Sequence, residues 1–229
     1  MKGRSVLRGV STVLIAAGVL MLIDAGLTIA WQEPVTALLG KLRQNQLGDD
    51  LHKLEQAGPT VVEQRALDHL RTDRQRVAFL ARSLRRRLPP GAAAGRIRIR
   101  KIHASYVIVK GTDPASLRKG PGIYDHTPFP GARGTTGIAG HRTTYLAPFR
   151  HVDRLRPGDD IEVDMPYATF HYRVQHRQIV TPDSTWIIRR VAYDRLVLSA
   201  CHPLYSAAKR IVVFARLASV QQRLQTLKR

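Results

Sequence analysis

The chain has 229 residues, 44% hydrophobic and 24% charged, which is enough for one main domain with a buried core plus accessory segments. Against 17 Asp and Glu stand 37 Lys and Arg, a net charge of +20 that favours anionic surroundings: nucleic acid, or an anionic membrane and envelope. A single cysteine, Cys201, excludes a disulfide framework and leaves a thiol that is either buried and inert or kept for its chemistry.

The first element expected is a transmembrane anchor over residues 9–31. Between Gly9 and Trp31 the only charge is Asp24. A helix rising about 1.5 Å per residue over that run crosses the roughly 30 Å hydrocarbon core. Lys2, Arg4 and Arg8 precede it, and the next basic residue after it is Lys41. That bias places residues 1–8 in the cytoplasm and the rest outside the cell. A cleaved signal peptide is the alternative, but the apolar run is long for one. A buried soluble helix is rarely apolar on every face.

Residues 32–95 read as a helical stalk and linker. Leu38 and Leu42 share a face, and Leu47, Leu51 and Leu54 continue it until Gly58-Pro59 breaks the run. Leu70, Val77 and Leu84 form a second stripe, with Leu67, Leu80 and Leu88 beside it. Such an arm docks on the following domain, pairs with another copy or serves as a solvated spacer. Arg85-Arg86-Arg87 is a charge run of the kind that touches anionic polymer or simply faces solvent. The stretch from Pro89 to Gly95 is a linker.

The period then changes to that of strands. Arg96 to Arg100 alternates strictly, and Ser105 to Lys110 follows. Thr135 to Ala139 is a short strand ending at Gly140-His141. Ile161 to Asp164 and Ala168 to Val180 read as a hairpin turning at Pro166-Tyr167. Arg195 to Ala200 delivers Cys201, and Ile211 to Leu217 closes the set. About seven short strands with few helices predict a mainly β, closed or nearly closed barrel. Short helical turns are expected at Pro114–Arg118 and Pro148–Leu155. The domain is bounded at 96–219, with a basic tail at 220–229.

Three residues carry candidate chemistry. Cys201 sits at a strand end, where rigid scaffolds present reactive groups. A thiol reacts as thiolate, which nearby Lys209 or Arg210 favours. His141 follows a glycine-rich strand end. Arg210 lies where an antiparallel return brings it beside Cys201, and a guanidinium there stabilises a developing oxyanion. Each has a plain alternative: a structural cysteine, a loop histidine, one arginine among many. No set of His and acidic residues has metal spacing.

Three blocks together resemble the sortase family, most of all class E sortases of actinobacterial type. They are Gly111-Thr-Asp-Pro-Ala-Ser-Leu-Arg-Lys-Gly-Pro-Gly122, Ile138-Ala-Gly-His-Arg-Thr-Thr-Tyr-Leu-Ala-Pro-Phe149 and Leu196-Val-Leu-Ser-Ala-Cys-His-Pro-Leu-Tyr-Ser-Ala-Ala-Lys-Arg210. The resemblance implies an eight-stranded sortase-type barrel, with Cys201 as nucleophile, His141 as acid/base partner and Arg210 as stabiliser of the oxyanion and substrate. It implies cleavage of a C-terminal sorting motif between Thr and Gly through a thioacyl intermediate. The partners implied are surface proteins bearing the motif, and an amine of a cell-wall precursor or a pilin as acceptor. Many sortases have Thr-Leu-x-Thr before the Cys; here Val197-Leu-Ser-Ala200 stands there, so Ser199 and Ala200 are expected at the substrate. Tyr145 is expected to line the groove beside Pro148-Phe149. Asp113, Asp125, Glu162 and Asp164 hint at a Ca²⁺ site such as some sortases hold, but scattered acidic residues are a weak signal, and no required cofactor is expected.

Two other readings compete. A cysteine peptidase would form the same intermediate and resolve it with water. A basic tethered module would bind nucleic acid or envelope polyanions without catalysis. Against nucleic acid, the chain has no recognition helix, zinc finger or stacking pattern, and only 6% aromatic residues.

Overall fold

The computed structural model describes residues 2–31 and 34–223, with side chains over 8–23, 26 and 38–223. The chain divides into two compact units, Met1–Leu39 and Gly40–Arg229. The first holds helix α1 (Lys2–Trp31) and the start of α2 (Pro34–Ala57). Among the described residues no helix is long and apolar enough to cross a membrane. The expected span at 9–31 lies partly outside the described side chains, which omit 24, 25 and 27–31.

The second unit begins with helices. α2 buries Leu47 and Leu51 and ends at Gly58, whose φ of 62° only glycine adopts readily. α3 (Val61–Asp68) and α4 (Asp73–Arg87) each start with a capping box, Thr60 with Glu63 and Thr72 with Gln75. Arg85, Arg86 and Arg87 complement the C-terminal end of the α4 dipole. Lys110 Nζ donates to the carbonyls of Arg85 and Leu88 at the same end. Val77, Leu80, Ala81 and Leu84 enter the main hydrophobic core with Leu67 of α3. Of the alternatives for the arm, docking on the β-rich domain is therefore the one found over 40–88.

The body is a closed barrel of eight strands: β1 (Ala93–Ile99), β2 (Ala104–Lys110), β3 (Gly122–Ile123), β4 (Thr135–Ala139), β5 (Asp160–Met165), β6 (Ala168–Val180), β7 (Arg195–His202) and β8 (Lys209–Gln222). They close in the order β1-β2-β3-β4-β7-β8-β6-β5. Closure removes the sheet edges that an open sheet would expose. The β2/β3 and β4/β7 pairs are parallel and the rest antiparallel. Inward residues such as Ile97, Ile108, Ile138, Phe170, Leu198 and Val213 fill the interior and are almost fully buried.

Several boundaries differ from the sequence reading. Residues 93–95, read as linker, already belong to β1, which requires Gly95 because a Cβ there would lie 2.3 Å from the Asp164 carbonyl oxygen. β3 is too short to have a period. α5 covers Pro114–Leu117, capped by Asp113, while the turn expected over 148–155 narrows to Val152–Arg154. Residues 220–222, assigned to a tail, extend β8, and 224–229 lie outside the described residues.

Candidate active site

Strand periodicity decides what β7 presents. Leu196, Leu198 and Ala200 point into the core, so Val197, Ser199 and Cys201 point outward. Val197 is nonetheless covered, packed with Ile187, Val212 and Phe214 beneath the β6–β7 segment. Cys201 is half-buried at the open end of this face.

On one side, antiparallel β8 places Arg210 opposite Cys201, Val212 opposite Ser199 and Phe214 opposite Val197. Directly opposed residues share a face, so the Arg210 and Cys201 side chains lie together. On the other side, parallel β4 pairs Ala139 with Ser199, and Gly140 N–H donates to the Ser199 carbonyl at 3.0 Å. β4 ends at Ala139, and its register with β7, extended by two residues, points His141 to the level of Cys201. The outcome is one row, His141–Cys201–Arg210, across three neighbouring segments.

Local sequence explains how His141 leaves the sheet. A Cβ on Gly140 would lie 2.5 Å from the ring of fully buried Phe149, so only glycine fits over that ring. Beyond it the chain folds back, and Phe149 N–H donates to the His141 carbonyl at 3.0 Å. Thr144 Oγ1 lies 3.3 Å from His141 Nδ1, and the Tyr145 ring packs at 4.9 Å from the imidazole. Burial holds the His141 pKa below its ordinary value. Tyr145, Leu146 and Ala147 all have positive φ, 50°, 65° and 43°. Each such non-glycine residue costs roughly 1–2 kcal/mol, strain that persists only where surrounding contacts fix it.

Arg142, beside His141, is a contact that the sequence did not reveal. Its side chain is 3% exposed. Nε donates to the Arg150 carbonyl at 3.2 Å, Nη1 lies 3.4 Å from the Cys201 carbonyl, and Nη2 pairs with Asp153 at 2.9 Å. Nη1 also meets His202 Nδ1 at 3.0 Å. A guanidinium only donates, so His202 Nδ1 accepts there. One buried cation thus ties the His141 loop to the Cys201 backbone. Arg150 adds a second tie, donating to Tyr205 Oη at 3.2 Å while its guanidinium sits over that ring.

The remaining expected residues are placed as follows. Arg210 Nη1 donates to the carbonyls of Ala207 and Lys209, and among the described residues its Nε and Nη2 have no partner. Ser199 Oγ lies 2.7 Å from Tyr124 Oη, a partner not foreseen, which reaches across from the residue after β3. Gly137 keeps the floor low between them, since a Cβ there would come within 2.7 Å of Tyr124 and 3.0 Å of Ile188. Ala200 departs from expectation. Its methyl belongs to the barrel core, so only its backbone faces the groove. Tyr145 packs on His141.

Among the described residues no cluster of three or more His, Cys, Asp or Glu could hold a metal. Asp113 instead caps α5, and Glu162 and Asp164 face Arg98 across the barrel wall.

The family model described as the sortase domain matches residues 97–218, more than half of the chain. The chain belongs to the sortase family. Sortase D of Bacillus subtilis is 34% identical over 130 residues, which are 55% of this chain and 64% of that protein. Sortase SrtE1 of Streptomyces coelicolor is 29% identical over 107 residues, covering 42% of this chain and 30% of the relative. The chain thus spans less than two thirds of the length of either curated relative. Among solved sortases, the Sortase D5 transpeptidase of Clostridium perfringens superposes with a TM-score of 0.56 at 25% identity, over 61% of this chain and 88% of that one. The expected class E likeness is found, beside a class D relative that matches over more residues.

Proposed function

We propose that this sortase is a membrane-anchored cysteine transpeptidase acting outside the cell. The opposition of Cys201 and Arg210 on β7 and β8, with His141 two residues past the β4 strand that pairs with β7, supports this reading, in which they serve as nucleophile, fixed cation and acid/base group. Cys201 Sγ, as thiolate, attacks the carbonyl carbon of the scissile Thr-Gly bond. The guanidinium of Arg210 stabilises the negative oxygen that forms. His141 gives its proton to the departing glycine amine, the C–N bond breaks and a thioester remains. An incoming amine then attacks the thioester, His141 takes its proton, and Cys201 leaves as thiolate. No carboxylate is needed, because Arg210 remains charged throughout.

The favoured donor is a surface protein ending in a Leu-Ala-x-Thr-Gly or Leu-Pro-x-Thr-Gly motif. The acceptor is an amine of a cell-wall precursor or pilin. The apolar run at 9–31, preceded by Lys2, Arg4 and Arg8, supports the anchor and its orientation.

The test is intact-mass analysis of the full chain with peptides of both motifs. A thioacyl adduct on Cys201, absent in Cys201→Ala and discharged as an amide by added amine, is expected. Free acid alone at high amine identifies a peptidase, and no adduct with either peptide removes the reading. For the anchor, the chain should stay with membranes after an alkaline wash; release into the supernatant counts against it.

A further inference from the structure

Helix α2 lies outside the residues matched by the sortase domain, yet it reaches the loop that carries His141. Gly40, Gln44, Leu47 and Leu51 follow one another at helical spacing and form one face. Leu47 and Leu51 pack with Ala93, Val107 and Val109 of the barrel. Gln44 pins the helix to β2: its Oε1 accepts from Val107 N–H at 2.7 Å, and its Nε2 donates to the Val107 and Lys119 carbonyls. One turn earlier, buried Gly40 faces Leu146 so closely that a Cβ there would lie 2.7 Å from Leu146 Cγ and 3.2 Å from each Cδ.

Leu146 is the centre of the three consecutive left-handed residues. Tyr106 Oη donates to its carbonyl at 3.1 Å from β2, and Ala147 N–H donates to the Thr144 carbonyl at 2.8 Å. The strained turn is therefore gripped by β2 through its backbone and by α2 through its side chain. Immediately before Leu146, Tyr145 packs on the His141 ring, and Thr144 meets Nδ1.

We propose that α2 is a positioning element of the catalytic site, with Gly40 seating Leu146 so that the turn holds His141 level with Cys201. Gly40 touches neither substrate nor reacting atom and acts through Leu146, Tyr145 and Thr144. The proposal rests on His141 as the acid/base partner of Cys201. A helix that merely padded the barrel would tolerate a methyl group at its end, and alanine is the better helix former.

Four full-length forms test this: wild type, Gly40→Ala, Leu146→Ala and the double variant. Two readouts are taken: kcat against donor KM for peptide transfer, and the pH profile of Cys201 alkylation by iodoacetamide, which needs no peptide. Gly40→Ala should lower kcat about tenfold or more with little change in KM, and shift the alkylation profile, because a displacement near one ångström costs catalysis at that scale. Leu146→Ala, which makes room for the new methyl, should restore most of both in the double variant. Wild-type behaviour of Gly40→Ala, or losses in the double variant as large as in Gly40→Ala, overturns the proposal. Should Gly40→Ala not fold, Gln44→Ala loosens the Gly40 end of α2 without adding bulk, its leucines still docked, and must lower kcat and shift the profile; unchanged values overturn it equally. A shifted profile in a chain that never acylates supports the brace and removes the transpeptidase reading instead.

Discussion

Arg142 Nη1 bridges His202 Nδ1, at 3.0 Å, and the Cys201 carbonyl, at 3.4 Å, joining the loop after His141 to the strand of Cys201. Because the Asp153 partner is 45% exposed, losing Arg142 leaves a hydrated carboxylate rather than a buried orphan charge. The cost lies in two abandoned carbonyls and a displaced loop. Arg142→Gln should lower stability by about 1–3 kcal/mol and kcat by roughly 100-fold, with donor KM little changed. Arg142→Lys, which keeps the charge but not the fork, should fall between. A kcat loss no larger than the loss of folded protein, followed by circular dichroism, would reduce Arg142 to a stability role.

The burial that depresses the His141 pKa sets a pH dependence with a definite sign. Burial favours the neutral ring in the folded state relative to the ordinary value of 6.5. The unfolded chain therefore binds the proton first as pH falls, and stability is lost as pH drops from 6.5 through the lowered folded value. His151 shares the direction, through burial and then the charges of Arg154 and Arg150. In Cys201→Ala, the His141 ring followed by NMR should titrate below 6.5. A midpoint at or above that value contradicts the burial argument. His141→Asn should flatten, without abolishing, the loss of denaturation midpoint over the same window.

What the sequence made legible follows from how each feature is encoded. The long strands showed because a period of two survives in Phe170, Tyr172 and Val174, and α4 because Val77, Leu80 and Leu84 keep helical spacing. β3, with two residues, has no period to read. The inward turn of Ala200 was hidden because β7 is apolar on both faces, Val197 being covered from outside by Ile187. Cys201, His141 and Arg210 stood out through their places at strand ends and their joint resemblance to a family. Arg142 and Tyr124 did not, since their roles depend on partners about 60 and 75 residues away, brought close by the parallel β4/β7 pair. One signal was available for Arg142: a charged residue set between Gly140-His141 and the apolar Pro148-Phe149 stretch has little room to stay in solvent.

The Tyr124–Ser199 contact, at 2.7 Å, yields a prediction about donor binding. Ser199 lies two residues before Cys201 on the same side of β7 and is buried, while its partner Tyr124 is half-buried; under the proposed function a donor's backbone would pass over this pair. One hydroxyl of the pair donates to the other, leaving the second proton free for a substrate carbonyl. Tyr124→Phe and Ser199→Ala should each raise donor KM several-fold, about 1 kcal/mol per hydrogen bond, with kcat less affected. The double variant should show less than the product of the single effects, since the two hydroxyls act as one unit. Additive losses in steady-state kinetics would separate them.

Gln44 supplies the last prediction, one about stability. β2 pairs with β3 only at Val109 and Lys110, so the backbone of Val107, fully buried, has no strand on that side. The Gln44 amide stands in for the missing strand, with its carbonyl accepting from Val107 N–H and its NH₂ donating to Val107 O. An unpaired buried backbone group costs about 1–3 kcal/mol. Gln44→Ala should therefore lower unfolding free energy by about that amount or slightly more, because two groups are orphaned. Gln44→Glu offers the acceptor but not the donor and should recover only part. Since Gln44→Ala removes no apolar contact between Leu47 or Leu51 and the barrel, the denaturant slope should stay constant while the midpoint falls. An unchanged midpoint would mean that water reaches Val107 and that α2 is held by its leucines alone.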